Sequence, residues 1–130
     1  MFRLVKVLNN DTKAEVQLIP AKEGVAYIKG EALSLSNGKA TSTTATASPE
    51  YIYLSRNYTS NVNKLEVMVV TEDSIFKVEY TGTLTPYLGM PVCLSTKIIR
   101  MDAVSYSTSG KGTIVGIDEE PGMVYVRFRK

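Results

Sequence analysis

The chain has 130 residues, 44% apolar and 22% charged, with a net charge of +2 from 15 Lys and Arg against 13 Asp and Glu. That length predicts one domain, residues 1–130, able to bury roughly two thirds of its unfolded surface without a disulfide or metal staple. The charge balance lacks the basic excess of a dedicated nucleic-acid binder, and one cysteine with no histidine excludes an internal disulfide, a Cys/His zinc site and any Ser-His-Asp or Cys-His catalytic arrangement.

The chain reads as strands and turns. "FRLVKVL" and "AEVQLI" predict two strands near the start, and the opening "MFRLVKVLNNDTK" has no apolar run suited to a secretory signal. "EALSLS" places Leu33 and Leu35 on one face and Ser34 and Ser36 on the other. Asn37-Gly38 follows, a strong short hairpin signal, so the Ser/Thr/Ala-rich stretch 34–48 reads as strand-turn-strand. Ser48-Pro49-Glu50 would suit a helix start, but Tyr51-Ile52-Tyr53 favours a strand with Ile52 and Leu54 opposite Tyr51 and Tyr53. The Asn-x-Thr triplets at Asn10 and Asn57 match the glycosylation pattern, which carries no meaning without a secretory signal.

"LEVMVV" is apolar on both faces and predicts a central strand. After the polar turn "TEDS", "IFKVEY" sets Phe76, Val78 and Tyr80 against Ile75, Lys77 and Glu79. "PVCLSTKI" sets Val92, Leu94 and Ile98 against Cys93, Ser95 and Lys97. "SGKG" at 109–112 and "DEEPG" at 118–122 are turns, the second joining the last two strands as a hairpin. The closing "GMVYVRFRK" puts Val124, Val126 and Phe128 on one face and Tyr125, Arg127 and Arg129 on the other. No segment carries a sustained helical stripe, and no stretch approaches about 18 apolar residues, so no membrane span is expected. The fold class is therefore all-β: a small β-barrel or β-sandwich of short antiparallel strands joined by hairpins, with little or no helix.

Chemistry is sparse in this pattern. Cys93 lacks a histidine base and reads as a structural strand thiol. The acids gather in turns, where carboxylates are usually solvated. Asp118, Glu119 and Glu120 lack the alternating ligands of a calcium loop, and "GKGT" lacks the rest of a phosphate-binding loop. No catalytic, cofactor or metal residue is nominated. Tyr125, Arg127 and Arg129 are the candidate interface: an aromatic and two guanidiniums on one strand face suit a protein interface or a stack of bases with phosphates. The plainer reading is a solvated outer face.

Two stretches together resemble the small capsid decoration (head-stabilising) proteins of tailed bacteriophages. In residues 19–55 the matching positions are Gly30, Leu33, Leu35, Asn37-Gly38-Lys39, Pro49, Tyr51 and Ile52. In residues 88–128 they are Gly89, Pro91, Val92, Gly116, Val124, Val126, Arg127 and Phe128. The middle of the chain and its first residues match nothing specific. The resemblance implies a β-barrel or β-sandwich on the virion surface, made in the host cytoplasm and without a catalytic site. Its partner would be the major capsid protein, with neighbouring subunits clipped together and a homo-oligomer such as a trimer possible. An alternative from another class is a nucleic-acid-binding small barrel of OB or SH3-like type, using the Tyr125, Arg127 and Arg129 face. A third is a non-enzymatic adaptor or surface module.

Overall fold

A computed structural model describes residues 1–7, 15–54, 63–97 and 100–130. Asn10, Asn57 and Ile98 lie outside the described residues. Eleven strands and no helix are present among them. They are β1 (Arg3–Val7), β2 (Val16–Pro20), β3 (Ala32–Ser36), β4 (Lys39–Ser42), β5 (Tyr51–Tyr53), β6 (Lys64–Val69), β7 (Ser74–Tyr80), β8 (Pro91–Thr96), β9 (Met101–Tyr106), β10 (Gly112–Ile117) and β11 (Met123–Phe128).

The later strands form a five-stranded barrel in the order β7-β11-β10-β8-β9. Its seams are antiparallel except the last, where Glu79 and Tyr80 of β7 pair in parallel with Ala103 and Val104 of β9. Closure removes the open edge that a short-stranded sheet would otherwise present. β1 pairs antiparallel with the other half of β7, from Arg3 opposite Lys77 to Val7 opposite Ser74.

The earlier strands form a second sheet in the order β2-β6-β5-β3-β4, antiparallel throughout. It curls until β2 and β4 approach each other. Between β3 and β4 the turn residues Asn37 and Gly38 have φ of 52° and 77°. Positive φ at both central positions is the geometry of a type I′ turn, and Asn-Gly supplies it at least steric cost.

Two cores follow from this arrangement. The barrel interior holds Phe76, Val78, Val92, Leu94, Val104, Ile114, Val124, Val126 and Phe128, and the second sheet adds Ala32, Ile52 and Met68 to it. Phe2 packs there with its ring 6.0 Å from Phe76 and 5.8 Å from Phe128. The concave side of the second sheet encloses Ile19, Tyr27, Leu33, Ala40, Tyr53, Leu65 and Val67. Tyr27 ties that curl together: its hydroxyl donates to the Ala40 carbonyl at 2.8 Å and accepts from the Lys22 amide at 2.8 Å.

Successive residues on three strands therefore serve different cores. Ala32, Ile52 and Met68 face the barrel, while Leu33, Tyr53 and Val67 face the curl. This is why "LEVMVV" is apolar on both faces. In β5 the assigned faces hold, with Ile52 and Leu54 toward the barrel and Tyr51 and Tyr53 toward the curl, but both faces are covered, so Tyr53 is as buried as Ile52. Leu35 departs. It keeps the face of Leu33 but is 38% exposed, because the hairpin tip carries it past the end of the curl. The alternation in β7, β8 and β11 holds, with Phe76, Val78, Val92, Leu94, Val124, Val126 and Phe128 all buried.

The two sheets are also joined by polar contacts. The Leu94 amide of β8 donates to the Ala45 carbonyl at 2.9 Å. Glu31, fully buried just before β3, receives Arg100 just before β9.

Candidate interaction face on the closing strand

β11 sits inside the barrel wall between β7 and β10. Its alternation sends Tyr125 and Arg127 outward, half-buried, beside Lys77 of β7. Arg129 lies one residue past the strand and is exposed. The structure thus brings Tyr125 and Arg127 onto one outer face, with Arg129 at its margin.

A β-bulge in β10 shapes the ground beneath Tyr125. The register with β11 slips between Ile114 and Gly116, leaving Val115 as the extra residue and Gly116 opposite Tyr125. The ring lies over Gly116, where an added Cβ would stand 2.8 Å from Cδ2 of Tyr125. The tyrosine hydroxyl reaches across the hairpin and donates to Oδ1 of Asp118. The other carboxylate oxygen of Asp118 accepts the Glu120 amide at 3.0 Å and lies 3.2 Å from Nζ of Lys77. Lys77 also meets Glu120 at 3.0 Å.

The protonation equilibria follow that geometry. The Tyr125 hydroxyl, then the Glu120 amide and Lys77, hold the Asp118 carboxyl below its ordinary value. The same contacts work in reverse on their partners. Hydrogen bonds to Glu120 and Asp118 raise Lys77, and the bond to Asp118 raises Tyr125.

Arg127 is committed as well. Its Nε donates to the Glu72 carbonyl, and Nη2 lies 3.2 Å from Oδ1 of Asp73, so it clasps the β6–β7 turn. The Arg129 amide donates to the Lys111 carbonyl at 2.9 Å and its guanidinium to the Gly110 carbonyl at 3.4 Å, with no carboxylate partner among the described residues. A groove of about 310 Å³ runs between Glu72, Thr113, Val115, Arg127, Phe128 and Arg129. In this groove Arg127 already meets the Asp73 carboxylate, while the Arg129 guanidinium meets only a backbone carbonyl.

The expected basic face is thus a braced one. The acids of the turns "TEDS" and "DEEPG", expected as solvated groups, are the braces: Asp118 is 15% exposed and Asp73 44%. Cys93 is half-buried on the barrel's outer side, its sulfur 3.6 Å from the Ser105 hydroxyl. No group of His, Cys, Asp and Glu suited to a metal ion occurs among the described residues.

Two features escaped the sequence reading. One is the Glu31–Arg100 pair, joined across 69 positions with nothing local to signal it. The other is the β7–β8 loop, which exposes Leu84, Tyr87 and Leu88. Its signal was available as a run without charge from Tyr80 to Thr96. No protein-family model matches the chain, and neither a curated protein nor a solved structure matches it.

Proposed function

We propose that this chain is a structural virion protein that binds the outer capsid surface and clips neighbouring major capsid subunits, as the capsid decoration proteins of tailed bacteriophages do, with no catalytic step. The observation that carries the reading is the placement of the two stretches that resemble that family. Residues 19–55 include β3, β4 and β5 of the second sheet, and residues 88–128 include β8 to β11 of the barrel. The matching residues occupy positions that shape those sheets. Asn37-Gly38 makes the hairpin tip, Pro91-Val92 begins β8, and Val124, Val126 and Phe128 fill the barrel. A two-sheet body cross-braced by buried contacts suits a clip, because rigid partners lose little entropy when they dock.

The nucleic-acid reading has less support. A five-stranded barrel is a scaffold on which oligonucleotides can bind. Here, however, Lys77 and Arg127 would have to leave Asp118, Glu120 and Asp73 to meet phosphates. The discriminating experiment offers the protein both partners over a range of salt. It should sediment with shells of the phage whose genome encodes it, and should show no steep salt-dependent affinity for DNA or RNA. A slope of several counterions per complex, with no binding to shells, would reverse the order of the two readings.

A further inference from the structure

The second sheet and the barrel are built alike. In each, the last strand in chain order lies between the first and the fourth, and the second lies between the fourth and the third, giving β2-β6-β5-β3-β4 in one and β7-β11-β10-β8-β9 in the other. One correspondence satisfies every antiparallel seam. Ile19 pairs with Leu65 as Val78 does with Val124, and Tyr53 pairs with Val67 as Ile114 does with Val126. Leu33 pairs with Tyr51 as Val92 does with Gly112, and Leu35 pairs with Ala40 as Leu94 does with Val104. Ile19, Leu33, Ala40, Tyr53 and Val67 fill the core of the curl. Their counterparts Val78, Val92, Val104, Ile114 and Val126 fill the barrel.

The entries to β3 and β8 agree as well. Gly30 and Gly89 have φ of 80° and 86°, and each is followed by a fully buried residue, Glu31 or Met90. The Gly30 amide donates to the Tyr53 carbonyl at 2.8 Å, and the Tyr53 amide donates back to Glu31 at 3.1 Å. In the barrel the Gly89 amide donates to Ile114 at 2.8 Å, and the Ile114 amide donates back to Met90 at 3.0 Å.

The two units differ at the closing seam. In the barrel β7 pairs with β9, and just past β7 the Thr81 amide donates to the Val104 carbonyl at 2.8 Å. The same correspondence makes Lys22 and Ala40 the counterparts of Thr81 and Val104. There the Lys22 amide donates to the Tyr27 hydroxyl, and that hydroxyl donates to the Ala40 carbonyl, both at 2.8 Å. One side-chain oxygen stands where the barrel has a direct backbone bond. Among the described residues β2 and β4 form no strand pairing, and Pro20, the counterpart of Glu79, has no N–H to offer. Tyr27 is held from the barrel side, with the Arg100 guanidinium carbon 5.8 Å from its ring centre while the same group grips Glu31. Lys22, Lys39 and Thr41 line a groove of about 420 Å³ beside the seam.

We infer that the β2–β4 seam is a gate into the core of the curl and that Tyr27 is its strap. A seam of paired backbone opens only with the strands that carry it. A seam closed through one hydroxyl opens when that hydroxyl lets go, which places it at the low-stability end of the fold. Opening separates Lys22 from Ala40 and widens the groove toward Ile19 and Leu33.

The test is amide hydrogen exchange followed by NMR on the full chain, with Thr81 as the internal reference for Lys22. In the unaltered protein Lys22 should be at least about tenfold less protected than Thr81, as expected for local against sub-global opening. Tyr27→Phe keeps the ring and removes the bridge. It should reduce the protection of Lys22 at least about a further tenfold, while Thr81 and Tyr53, whose bonds are backbone to backbone, keep theirs. If Tyr27→Phe does not fold, the comparison within the unaltered chain decides alone. Equal protection at Lys22 and Thr81 in that chain overturns the inference. So does Tyr27→Phe leaving Lys22 unchanged, or lowering Lys22, Tyr53 and Thr81 together, which would make Tyr27 a support of the whole fold and not the strap of one seam.

Discussion

The carboxylate of Glu31 accepts both Nε and Nη2 of Arg100, at 2.9 and 2.8 Å, where the carboxylate is wholly buried and the guanidinium 20% exposed. The Ile28 amide adds a third bond to Glu31 at 2.8 Å, and the guanidinium carbon lies 5.8 Å from the centre of the Tyr27 ring. This pair crosses from the second sheet to the barrel.

Removing one member leaves the other buried without its counter-charge. Arg100→Ala and Glu31→Ala should each cost about 3–5 kcal/mol, the range for breaking a buried pair from one side. The double variant should cost clearly less than the sum of the two. Denaturant unfolding of the four proteins completes the cycle. Additive losses would mean that the pair contributes no coupling between the sheets.

The two faces of β11 should separate in energy. Phe128 is 1% exposed in the barrel core, and Phe128→Ala should cost about 3–5 kcal/mol through lost transfer energy and the cavity left behind. Arg127→Ala should cost about 0.5–1 kcal/mol, because its partner Asp73 is partly solvated. Thermal and urea melts decide. A loss for Arg127→Ala as large as for Phe128→Ala would invert the assignment of the faces.

Gly116 is tied to the ring above it. Gly116→Ala should destabilise by about 1–3 kcal/mol, since the new methyl group meets Tyr125 and overpacks the site. In a Tyr125→Ser background the same change should be nearly neutral. An equal penalty in both backgrounds would place the cause in the bulged backbone instead.

The Asp118 cluster predicts an acid-sensitive contribution to stability. Asp118 is held below its ordinary value when folded, so its ionised form favours the folded state. That contribution is present above the unfolded pKa of about 4 and is lost as pH falls through the depressed folded value. Asp118→Asn should therefore weaken the protein most near neutrality, with the difference shrinking toward about pH 2. Lys77 and Tyr125 carry the opposite sign. Their raised values favour folding below about pH 10, and that contribution is lost as pH climbs through them. Urea midpoints across pH for both proteins supply the check, and a constant difference would contradict the assignment.

What the sequence disclosed was local. The strands β7, β8 and β11 each cover one core, so period two alone identified Phe76, Leu94 and Phe128 as buried. The type I′ turn was legible because Asn37-Gly38 fixes it from two residues. Double-faced burial at Tyr53 was not, since it depends on a second sheet curling over β5. The commitments of Arg127 were hidden for the same reason, with Glu72 and Asp73 more than fifty positions away. Asp118 and Tyr125 were nearer to being readable, because the hairpin register sets them across one short turn. The parallel closure of β7 on β9 was out of reach, because "MDAVSY" lacks period two, with Asp102, Ala103 and Val104 buried in succession, and β9 was not among the expected strands.

The proposed attachment to a capsid is tested by imaging. Particles would be prepared from the encoding genome with and without this coding sequence, and their shells reconstructed by electron cryomicroscopy. Extra density of two-sheet shape is expected on the outer surface at contacts between major capsid subunits, absent from the deletion particles and restored by adding the purified protein. Shells identical in both preparations, and unchanged by saturating protein, would contradict it.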